Sequence, residues 1–460
     1  QDKEKKAKLT DIYGLALVDN FAEKLSNYMV EPPGLYRRRG DHPGSGKMKK
    51  RILPEDVSIN VGPDDPVPIC NLPGHNWKTV LNNTYSTWLA MYKEDKSTKY
   101  VFLAGNSKFK GKNDLKKYEK ARKLKSLITK IREDYFAQMN SKDPERQQLG
   151  VATYLIDILA LRVGNEKGDD EADTVGCCSL RVEHIQLNPE DSDNVNNVTF
   201  DFLGKDSMRY LNTVELDPTV VALMRRFMRG KNKEDDLFDL INAGRLNDYL
   251  KSIYSHLSAK VFRTYNASFT LQKQLDSCPL KESDPVDRKV EFYDDANRKV
   301  AILCNHQKAV SKGFNAQSIT LNQQLKEMLK YLEELKEHLQ SFKGKVKKAS
   351  KKTESAKKNE EEADDEAQKS KLKRVFPDNF EKTSKVIKSL EQKISKLEKK
   401  ITSRDENKEI ALNTSKLNYM DPRITVGWCK DREVPIEKVF PKSVREKFPW
   451  AMYSNPDFKF

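Results

Sequence analysis

Leu321-Asn322-Gln323-Gln324-Leu325-Lys326-Glu327-Met328-Leu329-Lys330-Tyr331-Leu332-Glu333-Glu334-Leu335 decides how the chain is organised. Leu321, Leu325, Met328, Leu332, Leu335, Leu339 and Phe342 recur at alternating steps of four and three, an unbroken heptad seam. Ile387, Leu390, Ile394, Leu397 and Ile401 repeat that spacing. Between the seams, from about 344 to 373, the sequence is low-complexity Lys, Glu, Ala, Asp and Ser, including Glu360-Glu361-Glu362-Ala363-Asp364-Asp365-Glu366, and is expected to be mostly disordered. Two heptad helices with a flexible join are most simply an antiparallel coiled-coil hairpin; an intermolecular coiled coil is the alternative. Residues 311–403 are therefore read as a linker. It separates residues 1–310 from a small helical terminal domain at 404–460.

Outward from the linker, the chain of 460 residues is long enough for two or three domains. Its 84 Lys and Arg against 69 Asp and Glu give a net charge of +15. Such a balance points to a polyanionic partner, most simply nucleic acid, or to a generically basic protein. The six cysteines form no C-x-x-C pair, so neither a zinc site nor a disulfide scaffold is indicated, and reduced thiols inside a cell are expected. No apolar run is long enough to span a membrane, and no secretory signal opens the chain.

Residues 1–108 read as mixed α/β. Strands are expected at 57–61, 88–92 and 100–103, among turn-rich pieces such as Glu31-Pro32-Pro33-Gly34. Basic clusters at Arg37-Arg38-Arg39, Lys47 to Arg51, and Lys108, Lys110 and Lys112 suit phosphate contacts; singly, each is more simply a solvated surface residue. Gly46-Lys47 is not a phosphate loop, because G-x-x-x-x-G-K-[ST] would require Gly at 41 and Ser or Thr at 48, where Asp41 and Met48 stand. No nucleotide cofactor is expected.

Residues 109–310 read as mainly helical with one small sheet. Helices are expected over 114–136, from Pro144 to Arg162 with Gly164 as the stop, from Asp217-Pro218 onward, over 246–262 running into Arg263, and over a last stretch carrying Val300, Leu303 and Cys304. The periodicity puts Arg162 on an apolar helix face, where a cation needs an anion or must snorkel out. Strands are expected at 180–185, 198–203 and 208–214, the last two forming a hairpin with Lys205 at its tip. His306 follows the last helix. The fold class is α+β, mainly helical.

Five strings in this order resemble the eukaryotic type IB DNA topoisomerases: Leu161-Arg162-Val163-Gly164-Asn165-Glu166-Lys167, Phe202-Leu203-Gly204-Lys205-Asp206-Ser207, Lys260-Val261-Phe262-Arg263-Thr264-Tyr265-Asn266, Leu303-Cys304-Asn305-His306-Gln307, and Ser415-Lys416-Leu417-Asn418-Tyr419. The resemblance covers most of 12–310 and 376–460. It implies a partial cap lobe that clamps DNA at 1–108, a helical catalytic core of the tyrosine-recombinase and topoisomerase IB type at 109–310, the coiled-coil linker, and a C-terminal domain carrying the nucleophile. It implies that Tyr419 attacks a DNA phosphodiester to form a 3′-phosphotyrosyl bond. Arg162 and Arg263 would clamp the phosphate oxygens, His306 would add a third donor, and Lys205 would protonate the leaving 5′-oxygen. Neither metal nor ATP is implied.

The same resemblance assigns DNA contacts to Arg39, Lys99, Tyr100, Lys108, Lys110, Asp206 and Asn418, the last also lining a camptothecin-class inhibitor site. It implies a monomer acting on double-stranded DNA in the nucleus, and a family core that begins ahead of residue 1. Arg38 stands where many members have Gly, and Asp41 where many have Asn. Two rivals remain: a site-specific tyrosine recombinase, and a non-catalytic basic scaffold holding DNA through charge and coiled coil.

Overall fold

The computed structural model describes every residue except 1, 31, 39, 71, 95, 96, 167, 169, 170, 349–373 and 375. It divides into two compact units, Gln1–His306 with Leu412–Phe460, and Gln307–Ala411.

The first unit begins with helix α1 (Asp2–Tyr13) and a hairpin of β1 (Leu15–Val18) and β2 (Phe21–Lys24), none of which the sequence pattern announces. Short strands β3 (Gly34–Leu35) and β4 (Met48–Lys49) pair antiparallel. A four-stranded sheet follows, in the order β6-β5-β7-β8, from β5 (Val57–Asn60), β6 (Thr79–Leu81), β7 (Ala90–Glu94) and β8 (Ser97–Val101). The strands expected at 88–92 and 100–103 thus lie two or three residues away, because a tight hairpin pairs Glu94 with Ser97.

Helix α2 (Lys108–Met139) is longer than the periodicity implied, with the Ser107 hydroxyl capping its N-terminus. Helix α3 (Pro144–Leu159) starts as expected, with Asp143 as cap and Pro144 in the first turn. It stops earlier, at Ala160, whose φ of 50° is left-handed. Arg162 is therefore not on a helix face. It sits in a segment without regular secondary structure whose backbone is held by Cys177, the Arg162 carbonyl accepting from the Cys177 N–H at 2.8 Å. The stretch expected as a strand at 180–185 is interrupted by a 3-10 turn at Val182–His184: Arg181 forms a lone antiparallel bridge with Asp236, and Ile185 opens the short strand β9 (Ile185–Leu187). The hairpin of β10 (Asn197–Gly204) and β11 (Met208–Glu215) forms in the expected place, with Gly204 opposite Met208.

Helix α4 (Pro218–Met228) is capped by Asp217 as its sequence requires. The single helix expected over 246–262 is two, α5 (Ala243–Ile253) and α6 (Ala259–Asp276). A turn from Tyr254 to Leu257 breaks it, and Asn247 Oδ1 accepts from the Ala259 N–H at 3.1 Å to start the second. Arg263 therefore lies inside α6. Helix α7 (Val286–Leu303) ends in a left-handed Asn305, and the His306 N–H returns to the Ala301 carbonyl at 2.8 Å, a Schellman-type stop.

In the second unit, α8 (Phe314–Lys348) and α9 (Phe380–Glu406) form the hairpin. Lys336 pairs with Glu391 and Arg404 with Gln317, so the helices run antiparallel. Met328, Leu332, Leu335, Ile387, Leu390 and Ile394 bury the seam, joined by Tyr331. Of the segment expected to be disordered, 344–348 is the end of α8 and 349–373 lies outside the described residues.

The chain leaves the first unit after His306 and re-enters it at Leu412. There α10 (Leu412–Asn418), α11 (Pro422–Asp431), α12 (Ile436–Val439) and α13 (Lys442–Lys447) share one apolar core with α2, α3, α6 and α7. Phe440, Val444 and Phe448 are buried in that core. Gly111 permits close approach: a Cβ there would lie 2.1 Å from the Lys447 carbonyl oxygen, and its own carbonyl accepts from Trp450 Nε1 at 2.9 Å. Among the described residues no helix is long and apolar enough to cross a membrane.

Candidate active site

Tyr419 follows the last residue of α10, a short helix whose end is tied down on several sides. The Asn418 carbonyl accepts from Lys117 Nζ at 2.9 Å and the Leu417 carbonyl from Lys447 Nζ at 3.0 Å. Both lysines pair with Asp114. They supply partners to helix-end carbonyls that would otherwise have none. Ser268 of α6 bridges the next turn, donating to the Tyr419 carbonyl at 3.1 Å and accepting from the Asp421 N–H at 3.0 Å. The tyrosine backbone is thus fixed to the core.

Its side chain meets three of the four upstream groups. Arg162 Nη1 donates to Tyr419 Oη at 3.2 Å. The Arg263 guanidinium lies 5.2 Å from the ring centroid, in cation–π range. His306 stacks on the same ring at 5.2 Å and 29°. Tyr419, Arg263 and His306 are 8%, 6% and 5% exposed, so this is a largely dry cluster. Arg263 also ties two helix ends together: Nη1 donates to the Ala160 carbonyl at 2.6 Å, and Nη2 donates to the Cys304 carbonyl. One planar fork closes α3 and α7 and holds a charge beside the tyrosine.

Burial opposes ionisation of Tyr419, but the guanidiniums of Arg162 and Arg263 outweigh it and hold the phenol below its ordinary value. The balance favours the ionised phenol more than burial alone would allow. Burial, then the charges of Arg263 and Arg162, push the His306 imidazole down to about 3. It is neutral at physiological pH and acts as a hydrogen-bonding group. Its Nδ1 lies 2.7 Å from Ser415 Oγ, while Nε2 is buried and has no partner among the described residues.

The His306 shift has a measurable consequence. Above the ordinary value of 6.5 the imidazole is neutral in both the folded and the unfolded chain. Below it the unfolded side chain takes a proton that the folded one refuses until about 3, so stability falls as pH drops through that window. Wild type should lose about 1–2 kcal/mol more between pH 7 and pH 5 than His306→Gln does, read by urea unfolding at the two pH values. Equal losses would place the histidine in a wetter setting.

Lys205 is exposed at the tip of the β10–β11 hairpin, as its position between the strands implied. It lines a cavity of about 350 Å³ together with Arg162 and Arg263, where Lys260, Asn165 and Glu166 also stand. Asp206 and Ser207 are both left-handed, φ 65° and 56°, a strain on the order of 1–3 kcal/mol each that marks a tip held in shape. Gly40, φ +61°, abuts the tip; a Cβ there would lie 2.3 Å from Ser207 Oγ. This brings the loop after Arg37-Arg38 to the cavity edge. Arg39 itself lies outside the described residues.

The remaining residues proposed as DNA contacts are placed as follows. Tyr100, exposed on β8, sits beside Trp88 and Phe102. Lys99 lies 3.9 Å from Glu94. Lys108 and Lys110 open α2, with Lys110 Nζ 5.5 Å from the Phe102 ring. Asn418 is exposed and donates to the Thr414 carbonyl at 3.2 Å.

Three family models match in succession: eukaryotic DNA topoisomerase I, DNA binding fragment, over residues 1–103; its catalytic core over 106–339; and the C-terminal topoisomerase domain over 391–460. This chain belongs to the eukaryotic DNA topoisomerase I family. DNA topoisomerase 1 beta of Arabidopsis thaliana is 46% identical over 100% of this chain and 48% of its own length. DNA topoisomerase 1 of Homo sapiens is 45% identical over 100% of this chain and 57% of its own. For DNA topoisomerase 1 of Caenorhabditis elegans the figures are 46%, 98% and 53%. The chain spans about half the length of these relatives. Their family is that of the topoisomerases, and nothing favours the recombinase reading.

Ser268 and Ser415 are site residues that the sequence reading left without a role. The only signal for Ser268 is a small polar residue on the buried face of α6. Ser415 lies within the tyrosine motif, where nothing in the sequence sets it apart from its neighbours.

Proposed function

We propose that the chain is a type IB DNA topoisomerase that cuts one strand of a duplex, lets supercoils relax and rejoins the strand. The observation that carries the reading is a tyrosine hydroxyl bonded to Arg162, with its ring against Arg263 and His306, the two arginines also lining a cavity with Lys205. A phosphodiester entering that cavity meets the guanidiniums of Arg162 and Arg263, donors suited to the charge that builds on its non-bridging oxygens, and the neutral His306 imidazole stacked on Tyr419 is the proposed third donor. Tyr419 Oη gives up its proton to solvent, eased by the guanidiniums beside it, and bonds to phosphorus; the bond from phosphorus to the 5′-oxygen breaks, and that oxygen takes a proton from Lys205 Nζ. The reverse reaction needs only the same groups. The phosphotyrosyl link keeps the bond energy, so ATP has no task.

Arg39, Lys99, Tyr100, Lys108, Lys110, Asp206 and Asn418 are proposed as DNA contacts. A monomer working on double-stranded DNA in the nucleus, open to camptothecin-class inhibitors, fits the family. Plasmid relaxation tests the function. It should proceed in EDTA without ATP and without a target sequence, and weaken steeply with salt, since several phosphates are neutralised on binding. A strict requirement for ATP or Mg²⁺ would contradict it.

A further inference from the structure

Ser415 Oγ and His306 Nδ1 lie 2.7 Å apart in a fully buried setting. Either atom can donate, and the choice sets which nitrogen of the neutral ring carries the proton. If Nδ1 donated, the serine O–H would be left without an acceptor among the described residues, with the side chain 0% exposed. Leaving such a donor unmatched is costly, so the serine donates. Nδ1 then accepts, and the proton resides on Nε2. That nitrogen is the buried one with no partner among the described residues. It belongs to a ring stacked on Tyr419.

We propose that Ser415 is a positioning residue that fixes His306 in the Nε2–H tautomer, presenting a neutral N–H donor to the anion that Tyr419 attacks. The inference rests on the enzymatic reading for its purpose, but not for its geometry. The serine is well placed for the task. Its carbonyl accepts from both the Tyr419 and Met420 N–H groups at 3.0 Å, so one residue holds the nucleophile's backbone and, through its hydroxyl, the histidine. The opposite tautomer would turn a lone pair toward the phosphate and repel it. A hydroxyl donor is needed here, since carboxylate orienters would stabilise imidazolium instead.

The test uses the full chain with ¹⁵N-labelled histidine, the His306 signals being assigned by their loss in His306→Gln. Wild type at pH 7 should show Nε2 protonated and Nδ1 bare. Ser415→Ala should give averaged nitrogen shifts of a tautomer mixture and relax plasmid roughly 10- to 100-fold more slowly, through kcat more than KM. Ser415→Thr, which keeps the hydroxyl, should restore the tautomer and most of the rate. Protonated Nδ1 in wild type, or an unchanged tautomer in Ser415→Ala, would overturn the assignment. A wild-type chain with the expected tautomer but no relaxation would remove the enzymatic reading while leaving the Ser415 contact standing.

Discussion

Tyr419→Phe should relax no measurable plasmid and form no covalent adduct, while binding DNA within roughly twofold of wild type, because phosphate contacts elsewhere carry the affinity. The substitution removes one oxygen. The ring keeps its contacts with Arg263 and His306, and the backbone stays tied to Ser268, Lys117 and Lys447. Arg162 loses an acceptor but is only partly buried, so water can replace it, and stability should change by about 1 kcal/mol or less. A folded, DNA-binding, inactive chain separates chemistry from collapse. Gel relaxation, filter binding and a thermal melt on the same preparation read all three. Unaltered relaxation would point to another nucleophile, and no relaxation by wild type to the rival scaffold.

Arg263→Ala should slow relaxation by about 10²–10³-fold, the usual loss when one preorganised donor to a developing oxyanion is removed. It should also destabilise the fold, because the same guanidinium serves the carbonyls of Ala160 and Cys304 in a dry core. Each buried acceptor left unmatched costs about 1–3 kcal/mol. Arg263→Lys keeps a charge but cannot fork to two carbonyls, so it should recover part of the rate and little of the stability. Rates are to be read well below the variant's melting temperature. Full activity there in Arg263→Ala would remove the arginine from the site.

How much of this was legible beforehand depended on how local each signal is. The heptad seams specify the hairpin because every residue in them reports one short-range period, and the six buried seam positions named above all lie on it. Asp217-Pro218 and Asp143-Pro144 mark helix starts for the same reason. Arg162 was misplaced onto a helix because periodicity continued past Leu159, whereas the actual stop is enforced from a distance, by Cys177 holding Arg162 and Arg263 holding Ala160. The break between α5 and α6 depends on Asn247 reaching Ala259 across a turn, which propensity does not reveal. The proposed catalytic set was legible through the family resemblance of its motifs, not through periodicity. The orienting contacts of Ser268 and Ser415 span more than 100 residues and leave no pattern in the chain.

The most direct measurement traps the reaction on a short duplex whose cleaved strand releases the short downstream fragment carrying the 5′-hydroxyl, in EDTA, then digests the protein and identifies the peptide bonded to DNA. The account predicts a link from Tyr419 to the 3′-phosphate of the strand, with a free 5′-hydroxyl on the other side. Attachment at any other residue, or to a 5′-phosphate, would contradict it.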